Sequence, residues 1–211
     1  MLTPPAPVPP VRLRPAAAAD LPAVCALVNH YIATSHVNFR TEPQQVAEWE
    51  ALWRRTAGRY PWWVAEAGGG RVAGVAYAGP YSERGAYAWT AESVVYLAPG
   101  HTGRGTGRAL YQRLLATLAA QGFRTVHAGI GLPNPGSERL HRALGFRHLG
   151  TLHAVGWKHG AWRDVSHWQR DLGPAGSVPP APVRPVAEVL AEVFPAGAEA
   201  APAGAAPEGP A

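Results

Sequence analysis

WTAESVVYLAPGHTGRGTGRALYQRLL, residues 89–115, runs from an apolar strand through a glycine-rich turn into a helix. One acid, Glu92, sits inside the strand, and Gly103, Gly105 and Gly107 fill the turn. Backbone amides bared at a glycine turn and at a helix start form a cradle for anions. A cradle at the end of a buried strand points to a phosphate-bearing ligand. The acid beside it points to proton chemistry next to that ligand. A tight turn with no ligand is the plain alternative, since glycine turns are common.

The surrounding sequence predicts an α/β domain of mixed strand pairing. Residues 11–14 read as a first strand. Asp20 is placed to cap a helix carrying Val24, Leu27, Val28 and Tyr31 at helical spacing. A second helix is expected over 42–57, with Trp49 and Trp53 four apart on one face. Strands follow at 62–67 and 72–81 as a hairpin, and at 86–99. Residues 105–121 form a helix stopped by Gly122, and 124–132 a buried strand. A helix over 135–144 and a closing pair of strands complete the domain. The order is β-α-α-β-β-β-α-β-α-β-β. Residues 1–10 read as a proline-rich lead, 11–172 as the domain, and 173–211 as an Ala/Pro/Gly-rich tail. Most of that tail is expected to be disordered, since it offers little apolar surface to offset ordering entropy. One apolar patch at 186–194 has the makings of a helical turn or two.

Composition narrows the class. At 211 residues, 47% of them hydrophobic, the chain suits one globular domain. No stretch approaches the roughly 18–20 apolar residues of a membrane helix, and residues 1–14 lack the pattern of a secretory signal. Cys25 is the single cysteine, which excludes an internal disulfide and fits a reducing cytoplasm. Its place in the run AVCALV suggests a buried thiol. The net charge of +5 favours an anionic ligand. The basic residues are nearly all scattered arginines, without the basic, aromatic-interleaved run of a nucleic-acid surface.

Known phosphate and metal motifs fit poorly. The spacing G-x-G-x-G is not the dinucleotide fingerprint, and no Asp or Glu lies between Gly107 and Glu138 to take a ribose. The only lysine, Lys158, is far from the turn, so there is no ATPase-type phosphate loop. One cysteine, dispersed histidines and no H-E-x-x-H leave no zinc site, and no metal is expected.

Longer stretches carry a resemblance. They are AVCALVNHYI (23–32), VNFRTEP (37–43), RYPWWVAE (59–66), VAGVAYAGP (72–80), AYAWTAESVVYL (86–97), LPNPGSERLHRALGF (132–146) and GWKHGAWRDVSHWQRDL (156–172). In that order they resemble the phosphinothricin N-acetyltransferase family of the GNAT superfamily, over essentially all of 11–172. The resemblance implies the GNAT fold, a mixed sheet flanked by helices and splayed between two central parallel strands, here 90–98 and 124–131. It implies acetyl-CoA in that split as co-substrate, a small amino acid's α-amine as acceptor, and a homodimer.

Acetyl transfer to an amine needs a base, because a free α-amine is mostly ammonium at neutral pH. Glu92 matches the family's catalytic glutamate. Partial burial would raise its pKa toward a useful range. A solvent-facing strand residue is the bland alternative. The resemblance puts His141 at the acceptor site, to assist proton removal or hydrogen-bond the substrate. Without it, His141 is a polar residue on an amphipathic helix. Backbone amides of Thr102, Gly103, Arg104, Gly105, Thr106 and Gly107 are expected to meet the pyrophosphate. Those of Val94, Val95 and Tyr96 are expected to pair with the pantetheine arm and polarise the carbonyl. Asn134 and Ser137 are the side-chain candidates for CoA. Tyr111 is a candidate thiolate donor, or a core tyrosine.

The acceptor pocket draws on Asn38, Phe39, Tyr77, Arg84, Tyr87 and Thr90. Trp157 and Trp162 are candidates for a wall or for contact with a partner subunit. Arg84 can fork onto a phosphinate, sulfoximine or carboxylate. Two departures stand out. Ser82 occupies a position where the family carries lysine, with Glu83 between it and Arg84. The pyrophosphate motif begins with Thr102 rather than Gln or Arg. The expected reaction is acetylation of L-phosphinothricin, a detoxification. Methionine sulfoximine or sulfone as acceptor is the near alternative, and a non-catalytic acyl-CoA or amino-acid binding module the distant one.

Overall fold

Strands β1 (Arg12–Pro15), β2 (Trp62–Ala67), β3 (Arg71–Pro80), β4 (Thr90–Leu97), β5 (Thr125–Gly131), β6 (Arg147–Lys158) and β7 (Ala161–Asp171) form one sheet in the order β1-β2-β3-β4-β5-β7-β6. The computed structural model describes residues 11–174, 176 and 180–195. Helices α1 (Leu21–Thr34) and α2 (Val46–Thr56) cover one face of the sheet. Helices α3 (Thr106–Gln121), α4 (Pro135–Ala143) and α5 (Val186–Val193) lie on the other. The element order is the one expected over 11–172, with α5 added.

Strand β2 explains why helices are needed on both sides. Its residues alternate between two cores, Trp62 and Val64 against α1 and α2, and Trp63 and Ala65 against α3. The period of two sends successive side chains to opposite faces. Trp63 and Val64 are both fully buried, so neither face can be left to water. Strands β6 and β7 differ. They leave Leu149, Leu152, Val155, Trp157 and Trp162 exposed.

Every neighbouring pair is antiparallel except β4 and β5. That parallel contact covers only Thr90↔Thr125, Ala91↔Val126 and Glu92↔His127. Beyond Glu92 the two strands part, each still paired on its other edge, β4 to β3 and β5 to β7. The expected split is therefore present, and Glu92 marks its vertex.

Four boundaries differ from expectation. Asp20 does not cap α1 with its side chain. Arg14 forks onto its two oxygens at 2.7 Å each, and the Ala17 amide donates to it at 2.8 Å. The carboxylate thus closes the short turn before the helix, held well below its usual pKa first by the Arg14 hydrogen bonds. Helix α2 starts at Val46, not 42, because Pro43 disfavours helical backbone in the residue before it. Its start is fixed by Glu48, which accepts the Gln45 amide at 2.7 Å. Strand β4 begins at Thr90, since Gly85–Tyr87 form a single 3-10 turn.

The fourth difference is the tail. Residues 180–195 are not a loose extension but lie along α3. Val189 is fully buried, and Phe194 meets Trp63 edge-on at 5.3 Å. Gln121 at the end of α3 donates to the carbonyls of Arg59 (2.8 Å) and Arg184 (2.7 Å). Burying a valine side chain fully is worth about 1.5–3 kcal/mol, enough to hold a short apolar helix that carries such anchors. Residues 1–10 and 196–211 lie outside the described residues.

Candidate active site

The β4–β5 split opens into a cleft of about 790 Å³. Val94, Val95 and Tyr96 form one wall, Gly129–Gly131 the other, and Asn134, Ser137 and His141 of the α4 region close the end. At the mouth lie Thr102, Gly103, Gly105 and Gly107, while Arg104 is exposed and Thr106 is buried under the first turn of α3. Gly103 (φ 71°) and Gly105 (φ 83°) hold left-handed backbone, which suits glycine. Gly107 packs closely, since a Cβ there would stand 3.1 Å from the Leu97 side chain. No side chain caps α3, so its first amides face the cleft mouth with the positive end of the helix dipole. An extended ligand ending in phosphates fits this arrangement of unpaired strand edge and bared helix start. Asn134 is partly committed, because its Oδ1 accepts the Ser137 amide at 3.1 Å as the cap of α4.

Strand alternation sends Glu92 and Ser93 to opposite faces. Ser93 is buried, with Oγ 2.6 Å from the Tyr111 hydroxyl and 3.1 Å from the His127 carbonyl. Tyr111 lies 3.1 Å from His141 Nε2, and His141 Nδ1 is 2.8 Å from the Ser137 carbonyl. A carbonyl only accepts, so Nδ1 carries the hydrogen and Nε2 accepts from Tyr111. Ser93 donates its hydrogen to the His127 carbonyl, so the single Tyr111 hydrogen is shared between Ser93 Oγ and His141 Nε2. Burial lowers the His141 pKa and raises that of Tyr111, so both are neutral. Tyr111 is fully buried behind Ser93 rather than in the cleft wall. Both His141 nitrogens are engaged within the protein, on the face away from Glu92. His141 lines the end of the cleft with both nitrogens so engaged.

Glu92 is 49% exposed, so the partial burial expected to tune it is slight. Its Oε1 stands 3.8 Å from His127 Nδ1. Beside it a second cleft of about 390 Å³ is lined by Tyr81, Tyr87, Thr90, His127 and His167 among others. Tyr87 and Thr90 thus share one cleft. Arg84 is exposed on the 3-10 turn that carries Tyr87. Tyr77 stacks on Trp62 at 4.3 Å and is chiefly part of the α1–α2 core. Trp157 and Trp162 pack on each other at 5.5 Å and are 57% and 63% exposed. They line neither of the two clefts described.

The loop bearing Asn38 and Phe39 is pinned from the far hairpin. The buried Lys158 amine donates to the carbonyls of Asn38 (2.5 Å) and Arg40 (2.6 Å). Phe39 lies over Gly156, where a Cβ would come within 2.4 Å of its ring. Asn38 Nδ2 in turn donates to the Tyr96 hydroxyl at 2.9 Å.

Residues 25–146 match the model of the acetyltransferase (GNAT) family. The chain is 57% identical over 181 residues to a phosphinothricin N-acetyltransferase of Streptomyces viridochromogenes, covering 85% of this chain and 97% of that protein. The chain belongs to the GNAT acetyltransferase family. It is an acetyl-CoA-dependent N-acetyltransferase. A crystal structure of a GNAT phosphinothricin acetyltransferase from Sinorhizobium meliloti, in complex with acetyl-CoA, superposes with a TM-score of 0.77 at 37% identity, over 81% of this chain and 93% of that one. An L-methionine sulfoximine/L-methionine sulfone acetyltransferase of Pseudomonas aeruginosa is 34% identical, over 79% of this chain and 98% of that protein.

For a GNAT acetyltransferase, sequence reasoning singled out the strand and glycine turn that border the cleft, and the glutamate at the vertex of the fork. It missed Ser93, Tyr81, His127 and His167. Ser93 carried a signal, a polar residue on the inward alternation of a buried strand. The two histidines carried none, since 40 residues separate them and only β5–β7 pairing brings them together.

Proposed function

We propose that this N-acetyltransferase acetylates the α-amine of L-phosphinothricin, removing the inhibitor's amine charge, with Glu92 as general base. The carrying observation is the place of Glu92. It is the last paired residue of the β4–β5 fork, with its carboxylate open on the face that holds Tyr81, Tyr87 and Thr90. The 57% identity to a phosphinothricin N-acetyltransferase along nearly its whole length supports the choice of acceptor.

Acetyl-CoA, when bound, supplies an activated acyl carbon to the amine. The residues do the rest. Amides of Val94, Val95 and Tyr96 at the unpaired β4 edge orient the ligand and polarise its carbonyl. Amides of Thr102–Gly107 hold the pyrophosphate, with Asn134 and Ser137 beside it. Glu92 removes the ammonium proton, and Arg84 meets the acceptor's anionic end. On the other face of β4, Ser93 lines the cleft. Ser93, Tyr111 and His141 hold the wall behind the bound thioester, and the departing thiolate takes its proton from solvent.

Methionine sulfoximine or sulfone is the second acceptor reading. Ser82 and Glu83 favour it, because they remove a cation and add an anion beside Arg84. The P. aeruginosa relative supports it too. Steady-state CoA release with both acceptors over matched concentrations decides. A kcat/KM at least about a hundredfold higher for phosphinothricin, roughly 2.7 kcal/mol of transition-state binding, is expected. Comparable or reversed values refute that acceptor. A homodimer is part of the proposal, supported by the exposed apolar residues of the β6–β7 hairpin, Trp157 and Trp162 among them, and sedimentation velocity tests it. The free, buried Cys25 suits a reducing cytoplasm.

A further inference from the structure

On the Glu92 face stand two histidines that acetyl transfer, as described, leaves unused. His127 is the residue paired with Glu92 at the vertex of the fork. His167 lies one strand further, on β7, opposite Gly129. The two are diagonal neighbours on one face of the sheet. Their rings stack at 5.2 Å and 30°, and His127 Nε2 is 3.1 Å from His167 Nδ1. One of these nitrogens carries the shared hydrogen and the other the lone pair.

The outward nitrogens complete a line. His127 Nδ1 is 3.8 Å from Glu92 Oε1, one small rotation short of a hydrogen bond. Among the described residues, His127 Nδ1 and His167 Nε2 are buried without a hydrogen-bond partner. Unpaired buried polar atoms cost stability and call for a reason. Tyr81 packs edge-on to His127 at 5.0 Å, which fixes the ring beside the 390 Å³ cleft.

We propose that His127 and His167 form a proton relay for Glu92, carrying away the proton taken from the acceptor ammonium. This rests on the reading of Glu92 as the base. The acceptor N–H bond breaks and an O–H bond forms on Glu92. That proton moves to His127 Nδ1, and the hydrogen on His127 Nε2 moves to His167 Nδ1. The imidazole pair then holds one extra proton, which passes from His167 Nε2 to water entering the second cleft, and exchange with that water resets both tautomers and leaves Glu92 a carboxylate. No electrons change hands beyond these proton shifts.

The surroundings suit the task. The titratable groups facing the pair are Glu92 from β4, and Tyr81 and Tyr87 from the connection between β3 and β4. From β5, β6 and β7 the cleft receives Thr125, Leu149 and Gln169, none of which titrates. Burial first, then the neighbouring His127, hold His167 below the usual imidazole range, against the pull of Glu92.

The test compares His127→Gln, His167→Gln and Glu92→Gln with wild type, reading kcat, both KM values and the pH profile of kcat. Each histidine variant is expected to lower kcat about tenfold, a modest part of a general-base contribution. Acetyl-CoA KM should stay within about twofold, and the acid limb of the profile should move. Free imidazole in the buffer should restore much of the rate of His127→Gln. An unchanged kcat and acid limb, or a change confined to the acceptor KM, overturns the relay. If a variant does not fold, nitrogen NMR of histidine-labelled wild type decides. Joint uptake of a single proton by the two rings supports the relay, and two independent titrations overturn it. An inactive Glu92→Gln beside unaffected histidine variants sinks the relay alone. A fully active Glu92→Gln sinks the base reading itself.

Discussion

Glu92 and Ser93 are adjacent on β4, yet they stand in opposite environments. The Glu92 side is half-exposed and has unpaired polar atoms around it. The Ser93 side is sealed, and its chain of Ser93, Tyr111, His141 and the Ser137 carbonyl closes completely. The open side can bind a variable acceptor and move protons. The closed side has no such freedom, and its contribution is to hold one geometry against the bound thioester. One strand thus separates the part of the site that must adapt from the part that must not.

The largest effect that can break this comparison is at Glu92. Glu92→Gln should lower kcat by about 10²–10⁴-fold while acetyl-CoA affinity and melting temperature stay near wild type. Calorimetric titration and steady-state rates check it together. A matching loss of stability would mean that Glu92 is structural. Tyr111→Phe should do the reverse. It strands buried His141 Nε2 and takes a partner from the Ser93 hydroxyl, so unfolding in urea should show a loss of about 1–3 kcal/mol, with kcat falling less than in Glu92→Gln.

The smallest effect is in pH. His141 in the folded protein lies below its usual 6.5, first because of burial. An unfolded chain then binds more protons just below 6.5, so the stability from a neutral His141 is complete above that pH and declines as pH falls. His167 acts in the same direction. Asp20, also depressed, loses its contribution only at lower pH, below its usual 3.8. Unfolding at pH 7.5 and 5.5 should therefore show lower stability in acid, by less than about 1.4 kcal/mol per unit for each histidine. His141→Gln should flatten part of that slope, and an unchanged slope would contradict a neutral, sealed imidazole.

Much of the fold was legible because apolar periodicity and glycine stops are local signals. The strand around Glu92, the φ-positive glycines and the α3 stop at Gly122 all act within a few residues. Three things were not legible, each because distance along the chain hides it. The docking of α5 is one: the 186–194 patch signalled a helical turn or two, but not that this eight-residue helix, too short to be stable alone, packs on α3. His127 and His167 meet only through strand pairing. The role of His141 depends on both its nitrogens being already spoken for, which no spacing reveals.

Lys158 has a consequence beyond pinning the Asn38 loop. It is the only lysine in the chain, and its amine is buried against two carbonyls. All other fixed positive side chains are arginines, which thioesters do not readily acylate. An enzyme that handles a reactive acyl donor therefore presents no lysine amine on its surface for that donor to modify by accident. Its charge is safeguarded from its own co-substrate.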